Sequence, residues 1–159
     1  MKIQLIWAQE QNGGIGKSGE LPWHISEDLK NFKKLTLNST IVMGRHTWES
    51  LPFKPLPKRT NIVLTSQALP GVKTYSSVED CIEELDAGKT SAIFVIGGSK
   101  VYRNFFHRAD ELHITFVDKF TQGIDTYFPI SKLKIKEEFK KISEVELNDY
   151  AIYTHWIKK

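Results

Sequence analysis

The sequence predicts an α/β fold: a single domain with a mostly parallel central sheet, flanked by helices and finished by an antiparallel hairpin. Three observations predict it. Apolar runs of strand length alternate with helical patterns through the first two thirds of the 159 residues, as in strand–helix–strand units. Residues 92–96, Ala-Ile-Phe-Val-Ile, are apolar without a break, the pattern of a strand covered on both faces. The C-terminal stretch alternates instead. Tyr150, Ile152, Thr154 and Trp156 share one face, and Ala151, Tyr153, His155 and Ile157 the other. With Asn148-Asp149 as a turn and a run ending at Leu147 before it, this is a closing hairpin.

The elements follow in order. Residues 3–8 form an apolar strand, and 9–20 a long polar loop carrying Gly13, Gly14, Gly16 and Gly19. Long loops in compact domains are often functional, and Ile15 stands among the glycines as an apolar residue with something to touch. In 21–34, Pro22 closes the loop, Ser26 is placed to cap a helix, and Glu27 and Asp28 fall in its first turn. Ile25, Leu29, Phe32 and Leu35 make one apolar face, with Asp28 at its edge. Two readings of Asp28 stand on this stretch alone: a complement to the helix dipole, the common case, or a proton-handling carboxylate. Strand 40–43 leads into Gly44, Arg45 and His46, with a helix start at 47–51. Leu51 to Arg59 carries three prolines and ends on a cation. Strand 61–64 ends in Thr65 and Ser66. A short strand at 73–75 precedes a helix capped by Ser77 and closed by Gly88. Strand 92–96 runs into Gly97-Gly98-Ser99 and a helix at about 100–106, followed by a strand at 111–117.

Parallel sheets bind ligands at the carboxyl ends of their strands. Three such ends carry glycines or hydroxyls: after Met43, after Leu64 and after Ile96. They converge on one candidate anion site. Each signal has a plain alternative. Gly97-Gly98 is a tight turn or a close backbone approach to a ligand, and it is not a G-x-G-x-x-G fingerprint. Arg45 and His46 are surface residues or, with Thr65 and Ser66, a phosphate cradle. Arg59 is a solvated loop end or a fork for a carboxylate. The tryptophans Trp7, Trp23 and Trp48 are more often core than ligand contacts.

Composition narrows the classes. A net charge of +3, with cations scattered among acids, does not point to nucleic acid but suits an anionic small molecule. Cys81 is the single cysteine, so no disulfide framework or zinc pattern exists. His24, His107, His113 and His155 show no metal-ligand spacing, and no metal is expected. No apolar run reaches membrane-spanning length, and the N-terminus is too short and polar for a secretory signal. The expectation is a reduced, soluble, cytoplasmic protein and, with no dimer seam, a monomer.

A set of motifs runs in order from near the first residue to about Pro129. It comprises Trp7-Ala8-Gln9, Gly14-Ile15-Gly16, Leu21-Pro22-Trp23-His24, Asp28-Leu29 with Phe32-Lys33, and Met43-Gly44-Arg45-His46-Thr47-Trp48-Glu49-Ser50. It continues with Pro55-Leu56-Pro57, Arg59, Asn61, Val95-Ile96-Gly97-Gly98, Val101-Tyr102, Thr115 and Asp125-Thr126 with Phe128-Pro129. The ordered set resembles the dihydrofolate reductase family of the bacterial chromosomal type.

The resemblance implies NADPH-dependent reduction of 7,8-dihydrofolate to tetrahydrofolate, a step in one-carbon metabolism and thymidylate synthesis, and antifolates as further ligands. By position, Asp28 would bind the pterin's 2-amino group and N3, hydrogen-bonded by Thr115. Trp23 would hold a water near Asp28, and a water gated by the 13–20 loop and Leu21 would bring the proton to N5. Ile6, Trp7, Ala8, Leu29, Phe32, Leu51, Leu56 and Ile96 would line the substrate pocket, with Arg59 on the glutamate α-carboxylate. Ala8, Ile15, Gly16, Leu21, Thr47 and Ile96 would flank nicotinamide and its ribose. Gly44, Arg45, His46, Leu64, Thr65 and Ser66 would hold the 2′-phosphate and adenosine. Gly97, Gly98, Ser99, Lys100, Val101 and Tyr102 would receive the pyrophosphate, and the Gly97–Gly98 bond would be cis. The chain departs from the pattern at Pro52-Phe53, which adds a loop residue. Lys58 and Ile124 each stand where glycine is usual, and Gln67 follows Ser66 with no second cation for the 2′-phosphate.

Overall fold

In the computed structural model, which describes residues 1–159, the predicted alternation becomes one eight-stranded sheet and a small two-stranded one. Along the chain run β1 (Lys2–Glu10), β2 (Gly14–Gly16), α1 (Ser26–Thr36), β3 (Thr40–Gly44), α2 (Arg45–Ser50), β4 (Thr60–Leu64), β5 (Lys73–Tyr75) and α3 (Val78–Ala87). Then come β6 (Ala92–Val95), α4 (Ser99–Phe105), a 3-10 turn (Phe106–Arg108), β7 (Glu111–Val117), β8 (Thr126–Tyr127), α5 (Lys132–Glu138), β9 (Phe139–Asn148) and β10 (Ala151–Lys158). The large sheet has the order β5-β4-β3-β6-β1-β7-β10-β9. All pairs from β5 to β7 are parallel, and β7-β10 and β10-β9 are antiparallel. No helix is long and apolar enough to cross a membrane.

Side-chain alternation divides the core into two layers. Leu5 and Trp7 of β1, with Leu112 and Ile114 of β7, face the layer built by Val101, Tyr102 and Phe105 of α4 and Cys81 of α3. Ile6, Met43, Val63 and Phe94 face the other layer with Trp48 of α2, onto which Phe32, Leu35, Leu51 and Leu56 pack while partly exposed. Leu29 of α1 stays 44 % exposed. The apolar face expected of α1 is therefore only half covered, and the open side it leaves, between α1 and the sheet, is called the cleft below.

Four expectations change. Ser26 does not cap α1: the cap position is Ile25, in extended backbone, and no side chain caps it. Ser26 is already helical, so its hydroxyl turns to Glu27 Oε1 at 3.3 Å. β1 continues through Gln9 and Glu10, and Gly14–Gly16 pairs with Thr126–Tyr127, so the 9–20 segment is not a structureless loop. The helix after β3 begins at Arg45 rather than Thr47. α5, capped by Ser131 and burying Ile135, was not expected.

Candidate active site

The start of α1 shows where the Asp28 carboxylate goes. A dipole complement would turn its carboxylate to the free amides of the first turn. Instead Asp28 Oδ1 accepts a hydrogen bond of 2.7 Å from Thr115 Oγ1, on β7. Thr115 is itself buried, and it pairs with Ala8 across β1 and β7. Burial raises the Asp28 pKa above the ordinary carboxylate range, and the Thr115 hydroxyl opposes this only in part. Glu27, one residue earlier, bonds its own backbone amide and is held low. The fold thus gives the helix terminus to Glu27 and leaves Asp28 for the cleft.

Apolar side chains cover the same side of the sheet. Ile6 and Ala8 lie on the Thr115 side of β1, while Phe32, Leu51, Leu56 and Ile96 are partly buried against the layer around Ile6. Trp7 is a correction. Strand alternation sends its ring to the opposite face, where it stacks on Phe128 at 3.7 Å and 5°. Its side chain cannot line the substrate side. Arg59 lies at the far end of the wall, its guanidinium 5.9 Å from the Phe32 ring centroid. Its Nη1 donates to Thr36 Oγ1 at 3.1 Å and its Nε to Pro57 O at 2.9 Å. Buried Asn61 braces the turn, accepting from Leu56 N and donating to Leu56 O and Arg59 O. Lys58 has φ 58°, a left-handed conformation; this is the physical reason glycine suits that position.

The other half of the site runs along the carboxyl ends of the strands. Gly44 pairs with Leu64, so Arg45 and Thr65 leave the sheet side by side. Gly44 N donates to Gly97 O at 2.8 Å, which joins β3 to the β6 end. The Gly97–Gly98 peptide is cis, and Gly97 has φ 122°. A Cβ there would sit 3.3 Å from the Tyr102 ring, so conformation and crowding both require glycine. Tyr102 is buried and its hydroxyl donates to Ile6 O at 2.8 Å. The one proton of that hydroxyl is committed to β1. Arg45 Nη1 is 3.4 Å from Glu49, and His46 is largely exposed beside it. Thr65 Oγ1 accepts from Gln67 N at 3.2 Å, and Ser66 is exposed. Ser99 Oγ reaches Tyr127 O at 3.4 Å, Lys100 is exposed, and Val101 is buried under the turn. From β4 to β7 is four strand spacings, about 19 Å, a span that suits an extended dinucleotide.

Residues 13–20, here called the flap, are bound to the 118–127 segment. Gly16 O accepts from Asp125 N at 3.1 Å, and Asp125 Oδ2 accepts from Ser18 N at 2.9 Å. Ile124, at a position where glycine is usual, places Cγ2 3.1 Å from where a Gly14 Cβ would be. Ile15 packs on the core, and Leu21 is 61 % exposed at the flap's end.

Two features escaped the sequence reading. Trp23 Nε1 donates to Glu10 Oε2 at 2.6 Å. This is the indole's single donor, so the N–H expected to hold a water beside Asp28 goes to a carboxylate instead. Glu10 was hidden in a polar stretch, but it continues the alternation Ile6, Ala8, Glu10. The β7–β10 register also brings Glu111, His113 and His155 within 4.8 Å of one another. His155 bonds Glu111 at 2.6 Å, His113 bonds Tyr153 and Gln4, and the Lys2 ammonium lies 2.6 Å from Glu111. Each ring nitrogen in the triangle that has a partner is bonded within the protein, and a cation already neutralises the carboxylate.

Comparison with known proteins agrees with this geometry. The family described as dihydrofolate reductase matches residues 2–156. The dihydrofolate reductase of Neisseria meningitidis serogroup A is 44% identical over 132 residues, 81% of this chain and 80% of the relative. That of Buchnera aphidicola from Acyrthosiphon pisum is 42% identical over 135 residues, 84% and 82% of the two chains. The Enterococcus faecalis dihydrofolate reductase, solved in complex with NADP(H) and RAB-propyl, superposes with a TM-score of 0.84 at 35% identity, covering 99% of this chain and 96% of that one. A match over nearly the whole chain, together with the Asp28 cleft and the strand-end turn, shows that the chain belongs to the dihydrofolate reductase family.

Proposed function

We propose that the Asp28 cleft binds 7,8-dihydrofolate and the strand-end groove binds NADPH, and that the chain, a single 1–159 domain, reduces the first with the second. When bound, NADPH supplies the hydride that goes to pterin C6. The observation that carries the assignment is the Asp28 carboxylate. It is held by Thr115, and burial shifts it towards the neutral form. An acceptor in this position pairs with the pterin's 2-amino group and N3, and its charge favours protonation at N5. Ile6, Phe32, Leu51 and Leu56 exclude water from the reacting face. Leu29 and Leu21, exposed here, would be covered by substrate and flap.

Arg59, pre-aligned by Thr36 and Pro57, fits a carboxylate at the tail of the substrate. The turn at Gly97 and Gly98, with Ser99 and Lys100, fits a pyrophosphate, because the glycines let backbone amides approach it closely. Arg45, His46, Thr65 and Ser66 fit the 2′-phosphate, with Thr47 and Ile15 beside the nicotinamide ribose. Cys81 is buried, its thiol pushed up to about 12, which suits a reduced compartment. A cytoplasmic monomer that binds small antifolates and no nucleic acid accords with the scattered charge.

The test follows NADPH absorbance with dihydrofolate across pH, wild type beside Asp28→Asn. Rapid oxidation by the wild type is expected. The variant should lose about a hundredfold or more of turnover at neutral pH, recovering towards acid where the substrate protonates unaided. Equal pH profiles would remove Asp28 from the chemistry, and no oxidation by the wild type would overturn the assignment.

A further inference from the structure

Glu10 is completely buried, and the one cation that acts on it, Lys119, does so from beyond ion-pair distance. A bare carboxylate in that position would be costly. Three donors from two other segments hold it instead: the Trp23 indole N–H at 2.6 Å, the Thr121 amide at 3.0 Å and the Thr121 hydroxyl. Both oxygens are engaged. The backbone of the same residue is used as well, since Glu10 O accepts from Gly13 N at 2.9 Å.

Gly13 begins the flap, and Trp23 lies two residues beyond Leu21, where the flap ends. Thr121 belongs to the 118–125 segment, whose Asp125 bonds the flap at Gly16 and Ser18. Trp23 and Ala8 both pack on the small cluster of Ile25, Val117 and Ala151 at the start of α1. Ala8 in turn faces Thr115, the partner of Asp28. One residue therefore ties both roots of the flap to the segment that supports it.

We propose that Glu10 is a positioning residue of the reductase site, a buried carboxylate clasp that fixes both roots of the flap and the Trp23 indole relative to Asp28. The proposal rests on the reductase reading above. Its chemistry needs an acceptor on both oxygens. Glutamine keeps the shape but turns an amide N–H2 against either the Trp23 N–H or the Thr121 N–H, so one tether must break.

The test uses full-length protein labelled with 5-fluorotryptophan, whose four tryptophans give separate 19F signals, Trp23 being assigned by Trp23→Phe. Glu10→Gln should shift the Trp23 signal and leave those of Trp7, Trp48 and Trp156 in place. It should lower kcat by roughly tenfold to a hundredfold, as expected for a displaced positioning element, while NADPH affinity changes less than twofold. Combined with Trp23→Phe, it should cost less than the product of the two single losses, because both break one tether. Thr121→Val, which removes one donor and keeps the carboxylate, should shift the same signal by less, and it serves as the test if Glu10→Gln fails to fold. An unmoved Trp23 signal, an unchanged kcat, or losses that multiply would each overturn the clasp. Absence of turnover in the wild type would overturn the reductase reading instead, and the Trp23 signal would then decide the clasp alone.

Discussion

Asp28 and Glu10 are two acids that the fold treats in opposite ways. Burial pushes the Glu10 carboxyl up, but three donors for its two oxygens, with the Lys119 charge, outweigh this and hold it below the ordinary carboxylate range. Asp28 has one donor, Thr115, and burial wins. A carboxylate whose native pKa is raised makes the folded state worse off than the unfolded one whenever it is ionised. That penalty is present in full above the native pKa, and it is relieved as pH falls through the native pKa towards the unfolded value of about 3.9. Asp28→Asn removes the charge and keeps an oxygen for the Thr115 hydroxyl. The ligand-free variant should therefore melt higher than wild type at pH 7, and the gap should narrow towards pH 4. Thermal unfolding at the two pH values checks this; a variant that melts lower at pH 7 would show that the charge is not strained. The site residue is one the protein would be more stable without, as expected where function sets the residue.

The elements that carry the cofactor side were legible because they are built from local signals. An apolar run followed by glycine, at 40–44 and at 92–97, marks a buried strand turning sharply, and the cap at Ser77 was legible for the same reason. What failed was whatever depends on a distant partner. β2 is three residues long and exists because β8 pairs with it from more than a hundred positions away. α5 buries one residue, Ile135, in a charged stretch of seven, too weak a period to see. The motif names Trp7 and not its side of the strand, and only the stacking on Phe128 places its ring. The Leu51 to Arg59 loop is intermediate: its prolines marked it as extended, but nothing in the sequence said that Asn61 holds its end. That brace, with Thr36, leaves the Arg59 guanidinium oriented before any ligand arrives. Arg59→Ala should weaken binding of a folate carrying its glutamate by about 2 kcal/mol, roughly thirtyfold. A tail-less antifolate should lose less than threefold. Titration of both ligands by quenching of tryptophan fluorescence measures the difference, and equal losses would place the carboxylate elsewhere.

The sheet order sets the two ends of the molecule apart. At the carboxyl ends of the parallel strands it assembles the cleft and the phosphate groove. At the opposite end, the antiparallel return of β10 along β7 buries a polar network of Gln4, Glu111, His113, Tyr153 and His155, neutralised by Lys2. The rings of His113 and His155 stack at 4.5 Å, so the two cannot both be charged at little cost. Burial first, and then the neighbouring His155, push His113 down to about 4, with Glu111 opposing. The unfolded chain takes up that proton near pH 6.5, whereas the folded protein refuses it until about pH 4. Stability is therefore whole above about pH 6.5 and declines as pH falls towards 4, by at most about 3 kcal/mol from this group. His113→Gln should be less stable than wild type at pH 7.5 by about 1–2 kcal/mol, the worth of the hydrogen bonds to Tyr153 and Gln4 that it makes imperfectly. Its stability should then vary less between pH 6.5 and 4.5. Urea unfolding at steps across that window separates the two effects. Parallel pH curves for variant and wild type would mean that the acid sensitivity of the fold arises outside the β7–β10 network.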